Sequence, residues 1–224
     1  MNKKESILSR WCDEHWLYFE YILGIIMLNV LIINWPSWDV PHRLMCLLCI
    51  LIPAHVFEED TFPGGFFYMN NLGLGSKDPM VYPQNRLTNM WTNLGAEITF
   101  IIVLFNTAKI PAAAVTIVIF FGVVEAIAHT RGGILMYLRY KDQGKKTLYG
   151  PGLFTSYIGL LEIGVYGIYW MTKNSFNTSE VLLGILIVLG IASIGILIPF
   201  AISTKIKSKT YAFKDNGYFS KYSS

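Results

Sequence analysis

Charge is scarce in this sequence. Lys, Arg, Asp and Glu make up 15% of the 224 residues, against 53% hydrophobic ones, and the mean hydropathy is +0.43. Soluble domains carry about 25% charged residues, so the shortfall excludes an ordinary soluble globule and points to a membrane protein. Cysteine is equally sparse. Cys12, Cys46 and Cys49 are too few for a disulfide framework. Cys46 and Cys49 form a C-x-x-C inside an apolar stretch, where both read as small buried hydrophobes. No block of like charge and no nucleic-acid module is present, which excludes a nucleic-acid partner. The N-terminal MNKKESILSRWCDEHW lacks the apolar core and cleavage site of a secretory signal and reads as a cytosolic lead-in. GLGSK at 73–77 has neither the preceding strand nor the spacing of a phosphate loop. No internal repeat or low-complexity tract breaks the chain up.

What the chain does have is long apolar runs. A helix needs about 20 mostly apolar residues to cross a bilayer. Candidates lie at about 17–35, 40–59, 88–107, 111–130, 151–171 and 180–203. Pro41, Pro111 and Pro151 stand at span starts, where a missing N–H costs little. Tryptophans mark several edges. The expected fold is therefore all-α, a polytopic bundle of about six transmembrane helices: one domain over 1–204, then a basic and aromatic tail over 205–224. Six passes leave both termini on one side. Of the 18 Lys and Arg, only Arg43, Lys109 and Lys173 fall on the other side, so the positive-inside rule places both termini in the cytoplasm. The connection 60–87 is rich in Gly, Pro and aromatics, too apolar for a solvated loop, and suits a lid folded back on the membrane.

The polar residues inside the spans are not scattered. His55, Glu58 and Glu59 are spaced i, i+3, i+4 on the second span, and Glu125 and His129 i, i+4 on the fourth; such spacings share one helix face. Asn89, Asn93 and Glu97 form a polar stripe on the third, and Glu162 stands in the fifth. Counting residues from each span end at about 1.5 Å per residue puts all of these in one layer of the cytoplasmic half. Charge in hydrocarbon is costly, about 2.5–3.5 kcal/mol per group on insertion scales, so such groups face partners or a cavity. A divalent cation holds carboxylates ionised and imidazoles neutral. His55, Glu58, Glu59, Glu97, Glu125 and His129 have the inventory of a di-iron or di-manganese carboxylate centre built between bundle helices, although the spacing of those motifs differs. Zinc on fewer ligands, with a glutamate as general base, is the alternative. A Glu/His proton switch in a transporter or binding protein is a third reading.

At these residues the chain resembles the HXXEE-domain family of polytopic bacterial membrane proteins. The motif stands here as His55-Val-Phe-Glu58-Glu59, with His129 and Tyr149-Gly150-Pro151-Gly152 downstream. The resemblance covers 55–152 and implies that these residues act together in a multi-pass protein of the bacterial inner membrane. It carries no reaction with it. Two other membrane families are excluded. Proteases of prenylated proteins need Glu-Glu-x-x-x-Arg, and no arginine follows Glu58-Glu59 at that place. Membrane desaturases need H-x-x-x-H boxes, which four histidines without such a box do not supply.

The expectation is thus a metal-dependent intramembrane enzyme with membrane lipids around it and a lipidic or other apolar small molecule as substrate. One or two divalent ions, iron or manganese ahead of zinc because the ligands are hard, would sit on the six ligands above. Glu97 and Glu59 would serve catalysis, Asn93 and Glu162 would orient ligands by hydrogen bonds, and Arg131 and Tyr149 would meet the substrate. Oxidation is ahead of hydrolysis on this ligand count.

Overall fold

A computed structural model describes residues 6–222; Lys3 and Lys4, part of the inner-side charge, and the last two residues of the tail lie outside the described residues. All regular structure among the described residues is helical. Five helices are long and apolar enough to cross a membrane: α1 (Ile7–Asn34), α2 (Val40–Thr61), α4 (Arg86–Asn106), α5 (Pro111–Gln143) and α7 (Thr178–Ile206). Two shorter ones complete the set, α3 (Phe66–Gly73) and α6 (Glu162–Lys173).

Local chemistry sets several starts. Asp39 caps α2 by accepting from the His42 N–H, with Pro41 in the first turn. Asn85 and Thr88 form a reciprocal capping box on α4. Pro111 opens α5 and Asn177 caps α7.

The expected fifth span, 151–171, is not one helix. A short turn at Leu153–Thr155 runs into a non-helical step at Ile158 and Gly159, where Gly159 takes φ +122, before α6 begins. The segment nevertheless makes a full return. Glu180 at the start of α7 accepts from the Ala112 N–H at the start of α5, and Asn85 donates to Ser203 near the end of α7. The chain between α5 and α7 therefore traverses the bundle once more.

α2 is the central helix, packed against α1, α4 and α5. Small residues let backbones approach: Gly24 of α1 meets Pro53 of α2, and Gly122 of α5 meets Leu160 and Gly164. The core layer between them holds Met45, Cys46, Leu48, Cys49, Phe100 and Leu160. Cys46 and Cys49 are buried free thiols, as their setting implied. Ile25, Ile32, Leu186 and Leu197 stay exposed on the outer helices, as side chains facing lipid do.

α5 runs thirteen residues beyond its expected end, through Arg131–Gln143. That extension is covered. Met69 of α3 packs on Gly132, and Met136 and Tyr140 are buried with Phe219 of the tail. The tail docks on the 60–87 connection through Tyr218 N–H to Gly64 O at 3.0 Å and Phe213 N–H to Met80 O at 2.9 Å. Phe67 and Phe213 stack. Arg86, buried at the head of α4, pairs with Asp13 and donates to the carbonyls of Thr210 and Ala212. Asp13 also meets Lys214 at 3.2 Å, so the two ends of the described chain join at one end of the bundle.

Candidate metal centre

α2 and α5 bring their polar faces together at that same end. His129 Nε2 lies 3.1 Å and His55 Nε2 3.4 Å from Oε1 of Glu59. Oε2 of Glu125 stands 3.5 Å from His129 Nε2 and 3.7 Å from His55 Nε2. The imidazoles meet edge to face, 4.8 Å between centroids. His55, Glu59 and His129 are buried, and the three offer donor atoms within 4.8 Å of one another. This buried group can hold a metal ion. Glu125 alone keeps part of its side chain, 25%, exposed.

Hydrogen bonds on the far side of each ring fix its tautomer. His129 Nδ1 lies 2.9 Å from the Pro151 carbonyl. A carbonyl only accepts, so Nδ1 carries the proton. His55 Nδ1 lies 2.8 Å from Thr155 Oγ1. The single hydroxyl hydrogen of Thr155 goes to Glu58 Oε2 at 2.6 Å, which leaves Thr155 to accept from His55 Nδ1–H. In neutral imidazoles both Nε2 lone pairs then face the carboxylates. Both Nε2 atoms are buried with no hydrogen-bond partner: a bare Nε2 and a carboxylate oxygen are both acceptors and cannot bond to each other. Acceptors gathered within 4.8 Å of one another suit a cation.

The backbone around the rings is specific. Gly152 takes φ +86, and a methyl group there would overlap the His129 ring. Phe66 of α3 covers that ring, 4.7 Å between centroids.

Glu58 is placed differently from its expected role as a ligand. Its carboxylate accepts from the Tyr149 hydroxyl, the Phe154 and Thr155 N–H groups and the Thr155 hydroxyl. Four donors occupy its lone pairs and turn it towards the 149–155 turn, where it holds Thr155 under His55. Tyr149 is a donor to that carboxylate; burial, and then Glu58 beside it, push its phenol well up, so it stays protonated. Thr155, Pro151 and Gly152 matter to the site through backbone and hydroxyl groups, which no His/Glu spacing announces; only the Tyr-Gly-Pro-Gly stretch hinted at two of them.

Glu97 is not among the converging donors. It is fully buried on α4, in electrostatic range of Glu20, Cys46 and Cys49. Asn93 donates back to Asn89, and Asn89 donates to Asp60, so that stripe braces α4 against the end of α2 and touches no ligand. Glu162 lies elsewhere, in a cleft with Trp35, Arg43 and Leu44 at the start of α2. The extended step at Ile158–Gly159 carries it further along the bundle than an unbroken helix would. Arg131 is exposed and lines a cleft with Thr130, Ile134 and Tyr157.

No protein family matches the chain, and neither does any curated protein or solved structure.

Proposed function

We propose that this membrane protein is an enzyme that carries one divalent metal ion on His55, Glu59 and His129 and hydrolyses a lipid-like substrate. One observation supports the reading above the rest: two imidazoles are locked as Nδ1 donors while their partnerless Nε2 atoms converge on a buried carboxylate. Two histidines and one carboxylate are the ligand set of open catalytic sites. Only four of the six expected ligands gather, which favours a single ion over a di-metal centre, and a spare carboxylate beside it to act as base is the arrangement zinc hydrolysis needs. When bound, such an ion supplies a Lewis acid and a water acidified towards neutrality. Glu125, the one partly exposed carboxylate of the group, would accept and hold a proton at the edge of the site.

The surroundings support this substrate class. A cleft of about 410 Å³ opens beside Glu58, lined by Ala54, Phe57, Phe62, Tyr149 and Phe154. Its walls are mainly apolar, with Glu58, Tyr149 and Thr155 as a polar edge, which supports an amphipathic guest. We place the site and both termini on the cytoplasmic side of a bacterial inner membrane, on the positive-inside count. Within His55-Val-Phe-Glu58-Glu59, the histidine and the second glutamate take the ion, and the first glutamate orients the histidine through Thr155.

Elemental analysis of the detergent-purified chain tests this beside His55→Ala and Glu125→Gln. One equivalent of zinc in wild type and Glu125→Gln, and none in His55→Ala, is expected. Two equivalents of iron would restore the di-metal oxidation reading. A metal-free wild type would leave the Glu/His proton switch.

A further inference from the structure

A second set of acids lies deeper between the helices. Glu20 of α1 and Glu97 of α4 are both fully buried, 0% exposed, and all four of their carboxyl oxygens lack a hydrogen-bond partner. The groups facing them from each packed helix are acids or thiols. Glu97 is in electrostatic range of Glu20 on α1 and of Cys46 and Cys49 on α2. Cys49 is in range of Glu20 too. Asp60 at the end of α2 interacts with Glu20, and Tyr21 beside it with both. No cation is among these partners. Pro53 of α2, packed on Gly24 of α1, has no N–H, so the Cys49 carbonyl lacks its usual helical donor in the same layer.

An isolated ionised carboxylate in hydrocarbon is strongly penalised, and two such groups in mutual range repel each other as well. A neutral acid avoids both costs and has one hydroxyl to donate. We propose that Glu20 and Glu97 form a proton-binding site inside the bundle, between α1 and α4. Binding converts a carboxylate and H⁺ into a carboxylic acid, with no other reactant. The site does not depend on the metal reading, since neither glutamate is among the converging donors.

The probe is N,N′-dicyclohexylcarbodiimide, which reacts with protonated carboxyls in apolar surroundings. Membranes containing the full chain are treated at neutral pH and the modified residues are read by peptide mass spectrometry. Glu20 or Glu97 should label about tenfold above exposed Glu14, and sodium should not protect them. Raising the pH should end the labelling of Glu97 earlier in Glu20→Gln than in wild type, because the like charge that retains the proton is gone. Labelling no better than that of Glu14, or labelling suppressed by sodium, would overturn the proposal. His55→Ala should keep the label while losing metal, and Glu97→Gln should keep the metal, so failure of either site is told apart from failure of the other.

Discussion

Thr155→Val gives the sharpest test of how the centre is built. The hydroxyl of Thr155 receives His55 Nδ1–H at 2.8 Å and donates to Glu58 at 2.6 Å. Valine has nearly the same shape, and the 2.8 Å bond from its backbone N–H to Glu58 remains. What disappears is the group that fixes the tautomer and direction of His55. Supports of this kind are worth about 10–100-fold in metal affinity, or about 1.4–2.8 kcal/mol. Competition between the metal-free protein and a chromophoric chelator, at fixed pH in detergent, measures the change directly. Thr155→Ser keeps the hydroxyl and should recover most of the loss. If Thr155→Val binds zinc within about threefold of wild type, the tautomer argument fails, because a shift that small is below the effect assigned to such contacts. Failure of Thr155→Ser to recover affinity would instead trace the loss to packing.

Gly152→Ala should abolish metal retention in elemental analysis while far-UV circular dichroism stays unchanged, since the added methyl overlaps the His129 ring and its own φ is +86; full metal content would refute the close approach. Arg86→Ala removes the clamp on Asp13, Thr210 and Ala212 and should cost about 2–3 kcal/mol, less than a fully buried pair because Lys214 still faces Asp13. A lower melting temperature and rapid proteolysis of the tail would report it, and an intact tail would count against it. Burial, and then Lys221 nearby, hold the Lys145 amine down at about 8 from its usual 10.5. The unfolded chain then binds more protons than the folded one between about pH 8 and 10.5, so stability rises with pH in that window. The melting temperature of wild type should gain on that of Lys145→Met as pH is raised through it; a constant gap would refute the shift.

Hydropathy made five spans legible because lipid demands long apolar runs whatever their neighbours. It misread two boundaries for a common reason. Arg131-Gly132-Gly133 reads as a loop, yet its helix continues because Met69 and the tail cover it from elsewhere in the sequence. Ser156–Leu161 reads as a span, yet it breaks because Gly159 can take a φ open to few other residues. His55, Glu59, Glu125 and His129 were legible through i, i+4 spacing, which fixes a helix face. Depth arithmetic put Glu97 in one layer with the histidines, whereas it lies deeper, beside Cys46, Cys49 and Glu20, and it said nothing of azimuth. Distance along the axis comes from counting residues, but the neighbour a face meets comes from packing, and for Glu97 that neighbour is α1. Glu58 escaped for a third reason: a side chain on the shared face still turns to wherever donors wait, and its donors lie nearly a hundred residues downstream.

The break in the 151–161 segment is what makes the centre possible. In an unbroken helix, the Phe154 and Thr155 N–H groups and the Pro151 carbonyl would be spent on the helix itself. Starting the turn at Leu153, after Pro151 and a left-handed Gly152, leaves those groups to find partners outside the helix. Irregular backbone packed inside a protein survives only when other protein groups complete its hydrogen bonds. Glu58 takes the two N–H groups and His129 takes the carbonyl. The same bonds that rescue the backbone orient Thr155, and through it His55, and they force His129 to present Nε2 inward. Structural need and ligand geometry are met by one set of contacts, so a substitution that straightened this segment, such as Pro151 and Gly152 both to Ala, should dismantle the metal site even with every ligand still in place.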